Sequence, residues 1–157
     1  MNTSINLENL ENILKNQHAD YSIFVDEATV ATASSGAQQY GIDLSETTPT
    51  LILKTKDSYI AVIICGNTRI SFKKLKQSLN VKDISMADPE IIRSLTGAKI
   101  GEVSLVNPGF ITIIDSNVLS NKNCYGGCGI PNATLRINTQ DLIRITNAQV
   151  LDFAEEC

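Results

Sequence analysis

Gly126, Gly127 and Gly129 surround Cys128 in the run Asn123–Gly129, NCYGGCG, the densest glycine stretch of the chain. Glycine adopts turns that other residues resist. The run therefore reads either as exposed backbone amides able to hold a ligand or as a tight connection between strands. It is not a phosphate loop, because no Gly-Lys-Ser/Thr follows and no strand-to-helix context surrounds it. Cys128 invites a nucleophile reading, yet no basic residue stands near it in sequence to depress its pKa. His18, the only histidine, falls in the turn-like segment Gln17–Tyr21 and reads as a surface residue, so no Ser-His-Asp set can be assembled. Cys65, Cys124, Cys128 and Cys157 lack the paired short spacings of a structural zinc site, so reduced, metal-free thiols are expected.

A second candidate stretch runs from Met86 to Asp115. Asp88 can cap a helix start, and Pro89 suits the first helical position because it has no amide to leave unpaired. Ile91, Ile92 and Leu95 recur at helical spacing, and Gly97 can end the helix in a left-handed turn. After the Gly101–Pro108 loop, Phe110, Ile111, Ile113 and Ile114 form an apolar run that predicts a core strand. Asp115 closes it, where a loop carboxylate can reach a cleft.

The remaining elements must position these residues. Leu7, Leu10, Ile13 and Leu14 predict a first helix with Asn6 or Ser4 as cap, and Tyr21–Val25 a first strand. Residues 27–40 read as a helix closed by Gly41. Thr50–Lys54 and Tyr59–Cys65 predict a hairpin across Lys56–Ser58. Ser71–Leu79 reads as an amphipathic helix, Thr134–Ile137 as a strand, Asn138 or Thr139 as the cap of a helix through Ile145, and Val150–Phe153 as a last extended segment. Hairpin signals without regular βαβ alternation argue an α/β (α+β) fold: one domain over residues 1–157, with a mixed sheet and flanking helices.

Bulk properties narrow the function. With 157 residues, 43% hydrophobic and 19% charged, the chain can bury a sizeable core and is neither disordered nor membrane-spanning in composition. The longest apolar run, Ile60–Cys65, is too short for a bilayer. The N-terminus has neither a basic start nor an apolar segment, so no secretory signal and a cytoplasmic location are expected. A net charge of −4 argues against extensive grip on a phosphate backbone but leaves room for a small footprint, such as a tRNA 3′ end. The cluster Arg69, Lys73, Lys74 and Lys76 reads as a solvated helix face or a minor RNA contact.

The series TLILK (Thr50–Lys54), MADPE with TG (Met86–Gly97), Gly101-Glu-Val-Ser, IID (Ile113–Asp115) and GGCGIPNATLRI…DLIRITNAQVLDF closely resembles the YbaK-type aminoacyl-tRNA deacylases. These are related to the editing domain inserted in bacterial prolyl-tRNA synthetases. The resemblance implies a strongly curved mixed sheet and hydrolysis of the ester of mischarged tRNA in trans, with no metal or cofactor. It implies backbone groups of the glycine loops holding the substrate, whose own ribose hydroxyl assists the attacking water. On that basis Gly101 and Asp115 are the expected catalytic positions. Thr50, Lys99, Ser104, Gly126, Gly127 and Gly129 are the expected substrate-binding ones. The expected partners are the aminoacyl-tRNA 3′ end and an aminoacyl-tRNA synthetase. Two positions depart from the family pattern: Pro49 stands where a lysine usually precedes Thr-Leu, and Leu105 where a loop proline is usual. Lys99, beside the Gly101 loop, is the nearest cation in sequence that could replace the lost charge, whereas Lys54 lies at the far end of its strand. The alternative reading is a binding module that kept the pocket and lost the lysine; a hydrolase using Cys128 ranks behind both.

Overall fold

The computed structural model describes residues 6–25, 37 and 40–157. Helix α1 (Leu7–Asn16) begins at Asn6, whose side-chain oxygen accepts from the Asn9 amide at 2.8 Å. Such a cap contributes about 1 kcal/mol. Leu10 and Leu14, four apart, bury the inner face completely. Strand β1 (Tyr21–Val25) follows. The helix expected over 27–40 lies outside the described residues, save for Ala37 and Tyr40, both helical.

After a 3-10 turn at Leu44–Glu46, the hairpin forms as expected from β2 (Thr50–Thr55) and β3 (Tyr59–Ile63). A short β4 (Thr68–Ile70) leads into α2 (Phe72–Leu79), which Ser71 caps through the Lys74 amide at 3.3 Å. The outer lysines of α2 are largely solvated, and Arg69 pairs with Glu155 at 3.1 Å. Strand β5 (Ile84–Met86) precedes α3 (Pro89–Thr96). Pro89 opens α3 and Gly97 closes it at φ +76°, but Asp88 makes no side-chain capping bond. Only Ile92 and Thr96 are fully buried on α3, and Ile91 is 37% exposed.

The expected core strand is β6 (Ile111–Asp115), followed by a 3-10 turn at Ser116–Ser120. Then come β7 (Asn123–Gly127), β8 (Ala133–Asn138), α4 (Thr139–Thr146), β9 (Gln149–Leu151) and β10 (Ala154–Glu156). Asn138 caps α4 by accepting from the Asp141 amide at 3.1 Å.

The sheet is mixed. Its order is β5-β2-β3-β6-β9, antiparallel across β5-β2-β3 and parallel across β3-β6-β9. Strands β1-β8-β7 make a second, antiparallel sheet, and β10 pairs with β4. One apolar cluster joins α1, Ile63, Leu105, Cys124, Leu135, Ile137 and Leu142 between the two larger sheets. A second lies under α2 and Phe153, and a third gathers Ile52, Ala61, Ile92, Ala98 and Val103. Burying each such Leu, Ile or Val contributes about 1.5–3 kcal/mol before ordering costs. Among the described residues no helix is long and apolar enough to cross a membrane.

Two further expectations need correction. Most of the glycine run is strand: Asn123–Gly127 form β7, registered against β8 from Asn123↔Asn138 to Gly127↔Thr134, and only Cys128 and Gly129 belong to the connection between the two strands. Asp115 does not face a cleft. It is fully buried, with Oδ1 accepting from the amides of Phe153 and Ala154, both at 2.9 Å, and Oδ2 from Asn117 at 3.0 Å. A carboxylate buried this way stays only because backbone donors replace its water. It ties the C-terminal segment to the end of β6.

Candidate functional site

Two segments meet the free side of β7. The Thr48 amide donates to the Tyr125 carbonyl at 2.8 Å, and the Thr48 hydroxyl donates to the same oxygen at 3.3 Å. One pleat further on, the Leu105 amide donates to Gly127 at 3.1 Å and the Gly129 amide to Glu102 at 2.9 Å. Thr47 and Ser104 each bridge β7 in parallel, to Tyr125 and Gly127. Segments 47–48 and 102–105 thus cover the side of β7 that β8 leaves open.

This packing explains the glycines. A Cβ on Gly126 would stand 2.7 Å from the Thr48 carbonyl oxygen and from Leu105 Cγ. On Gly127 it would stand 2.3 Å from the Val103 carbonyl oxygen and 2.9 Å from that of Glu102. No side chain fits between backbones at that range. Gly127 and Gly129 spend a carbonyl and an amide on the 102–105 segment, so they build the junction rather than present those groups to a ligand. Leu105, at the usual proline position, uses its amide in this junction, which proline could not.

The uncommitted donors lie on the other partner. Val103 and Ser104 are 4% and 1% exposed, and neither amide donates a hydrogen bond within the described residues. Ser104 turns its hydroxyl and carbonyl inward, accepting from the Val106 amide at 3.1 Å and from Asn107 Nδ2 at 2.6 Å. Thr50 is 6% exposed and its hydroxyl has no partner among the described residues. It shares a face of β2 with Ile52, which packs with Val103. Buried polar groups are almost always paired, so unpartnered ones mark where water or a ligand binds. Gly101 holds φ +88° at the exposed rim, and Lys99, also exposed, closes the turn by accepting from the Glu102 amide at 2.9 Å. Pro49 leaves no cation at the start of β2. Asp115 stays outside this constellation. Thr48 and Tyr125 were not legible as site residues, since their partnership spans 77 positions and neither belongs to a local motif.

Cys65 and Cys128 are buried and not poised as nucleophiles. Burial pushes the Cys128 thiol up to about 12, with the Glu11 charge adding to it. Burial also raises Cys65 to about 11, assisted by the charge of Asp115 and then Cys124, while Asn121 opposes the shift. Both stay protonated at neutral pH. Their raised values mean that the stability gained by burying them neutral is complete below about pH 9 and declines as pH climbs towards 11–12. With a thiol reagent at pH 8, the folded protein is expected to label once, at exposed Cys157, and four times after unfolding. Rapid labelling of Cys128 in the folded state would return it to candidacy. Among the described residues no group of three or more His, Cys, Asp or Glu gathers to hold a metal.

The family model described as "Aminoacyl-tRNA editing domain" matches residues 27–145. The proline–tRNA ligase of Thermosipho melanesiensis is 32% identical over 104 residues, 66% of this chain and 18% of that enzyme. The ligase of Caldicellulosiruptor bescii is 31% identical over 87 residues, 55% of this chain and 15% of the ligase. The chain thus spans less than a fifth of the length of these relatives. The crystal structure of a hypothetical protein superposes with a TM-score of 0.87 at 28% identity, over 93% of this chain and 99% of the other. That of a proposed trans-editing enzyme for prolyl-tRNA synthetase gives 0.84 at 23% identity, over 97% and 99%, a likeness of fold. The family match spans segment 47–48, segment 102–105 and β7, the three backbones that lock together. The chain belongs to the aminoacyl-tRNA editing domain family.

Proposed function

We propose that the protein is a trans-acting deacylase that hydrolyses the ester of mischarged aminoacyl-tRNA. One observation carries this reading: among the described residues, the buried Val103 and Ser104 amides and the Thr50 hydroxyl are left without hydrogen-bond partners on segments joined to the β7 junction, and no thiol is poised beside them as a nucleophile. Such a site suits a reaction whose main demand is oxyanion stabilisation. Water adds to the ester carbonyl and the two amides take up the negative charge. Thr50 Oγ1 orients the ester. The C–O bond to the ribose then breaks, and the ribose oxygen leaves with a proton to give free amino acid and tRNA. Lys99 meets the terminal phosphate in place of the cation absent at Pro49.

Pro49 favours a second reading, a module that binds the aminoacyl-tRNA end or a synthetase without catalysis. Incubation with a panel of mischarged tRNAs separates the two. Ester loss above the uncatalysed rate for at least one tRNA is expected; binding without ester loss would select the module. For the tRNA that reacts, Lys99→Ala is expected to lower kcat/KM at least ~10-fold, about 1.4 kcal/mol of transition-state stabilisation. Parental activity in that variant would remove Lys99 from the site.

A further inference from the structure

Three of the eight aromatic side chains in this protein stand in one ladder: Phe24, Tyr40 and Tyr125. The Phe24 and Tyr40 ring centroids lie 5.3 Å apart at 38°, and those of Tyr40 and Tyr125 6.5 Å apart at 26°. The sheet register fixes where the ladder sits. Ser22, Arg136 and Tyr125 form one cross-strand row, and Phe24, Thr134 and Gly127 the next. The intervening residues Ile23, Leu135, Ile137 and Cys124 belong to the core between the sheets. Side chains alternate along strands, so Phe24 and Tyr125 project from the opposite face. Phe24 is 37% exposed, and Tyr40 and Tyr125 are half-buried. Tyr125 also belongs to the junction, because its carbonyl takes both Thr48 donors.

We infer that this ladder is a stacking platform for an unpaired nucleobase, the terminal base of the RNA whose ester the adjoining site hydrolyses. The inference rests on the deacylase reading for the identity of its ligand. Charge supports it. A net charge of −4 argues against an extended phosphate grip, and an aromatic face beside the single contact at Lys99 supplies affinity that does not depend on counterion release. The one cation on this face, among the described residues of the three strands, is Arg136. It is already engaged by Asp20 at 2.9 Å, Asn123 at 2.8 Å and Ser22 at 3.1 Å, which holds the outer face rigid beside Tyr125.

The test is binding of an uncharged RNA hairpin carrying a tRNA acceptor end, compared with the same hairpin lacking only its terminal base. The parent is expected to bind the intact hairpin about 10-fold more tightly, with a shallow dependence on salt. Tyr125→Leu and Phe24→Leu should each remove most of that preference, while Tyr125→Phe retains it. Phe24→Leu, at the exposed end of the ladder, keeps the test open if Tyr125→Leu fails to fold. Equal affinity for the two hairpins, or a preference that survives both leucine variants, overturns the platform. Since the probe carries no ester, a parent that shows the base preference but hydrolyses no aminoacyl-tRNA would sink the deacylase reading alone. Hydrolysis without the preference would sink the platform alone.

Discussion

Gly127→Ala is expected to cost the protein at least ~100-fold in ester hydrolysis and about 2–3 kcal/mol of stability. The added methyl would meet two carbonyl oxygens, those of Val103 and Glu102, at 2.3 and 2.9 Å. Neither is the far end of a flexible side chain, so relief requires the 102–105 backbone to move off β7. That movement breaks the Leu105–Gly127 and Gly129–Glu102 hydrogen bonds and displaces the two amides assigned to the oxyanion. Losing one such donor commonly costs 10²–10³ in rate, which is why activity should fall further than stability alone predicts. Gly41→Ala is the contrast. Its φ of +64° makes alanine costly by about 1–2 kcal/mol, but none of the described residues lies within 4 Å of the new methyl. Stability should drop with little change in rate below the melting transition. A Gly127→Ala enzyme with parental activity would show that the junction does not position the reacting groups.

What the sequence revealed and what it hid follow from the range of the interactions. Asn6, Ser71 and Asn138 cap helices through partners three residues on, so those helices could be read from local spacing. The β2–β3 hairpin is equally local. Strands β4, β5 and β10 have three residues each, too few to show a period, and exist because a longer segment offers them an edge or a partner. The glycine strand misleads for a different reason. Strand propensity scores glycine low because it brings no side chain to pack, and here that absence is the requirement. The site segments were legible only through the family pattern, since Thr48 and Tyr125 lie 77 positions apart and Gly127 and Leu105 meet through backbone atoms that every residue carries. Asp115 was misplaced because a carboxylate at a strand end carries no local sign of the amides 38 and 39 residues later that enclose it.

Replacing that carboxylate should therefore disturb the fold before the chemistry. Asp115→Ala leaves the buried amides of Phe153 and Ala154 without an acceptor, while the amide of Asn117, an exposed residue, can turn to water. Each orphaned donor costs about 1–3 kcal/mol, and partial relaxation towards water brings the expected total to about 4 kcal/mol, a fall in Tm of roughly 10 °C for a chain of this size. Asp115→Asn keeps one acceptor oxygen but turns an N–H towards a donor, so its loss should be about half as large. The damage should begin locally. Phe153 and Ala154 lead into β10, which pairs with β4 through Ala154↔Ile70, and the Phe153 carbonyl accepts from the Ser71 amide at the start of α2. Hydrogen exchange at the Phe153 and Ala154 amides should therefore quicken in both variants more than exchange within β3. At temperatures well below the lowered transition, ester hydrolysis should stay within a few-fold of the parent, since Asp115 touches none of the groups at the β7 junction. The opposite pattern, an unchanged melting temperature with activity down ~100-fold or more, would make Asp115 a catalytic residue and would require its carboxylate to leave the Phe153 and Ala154 amides during turnover.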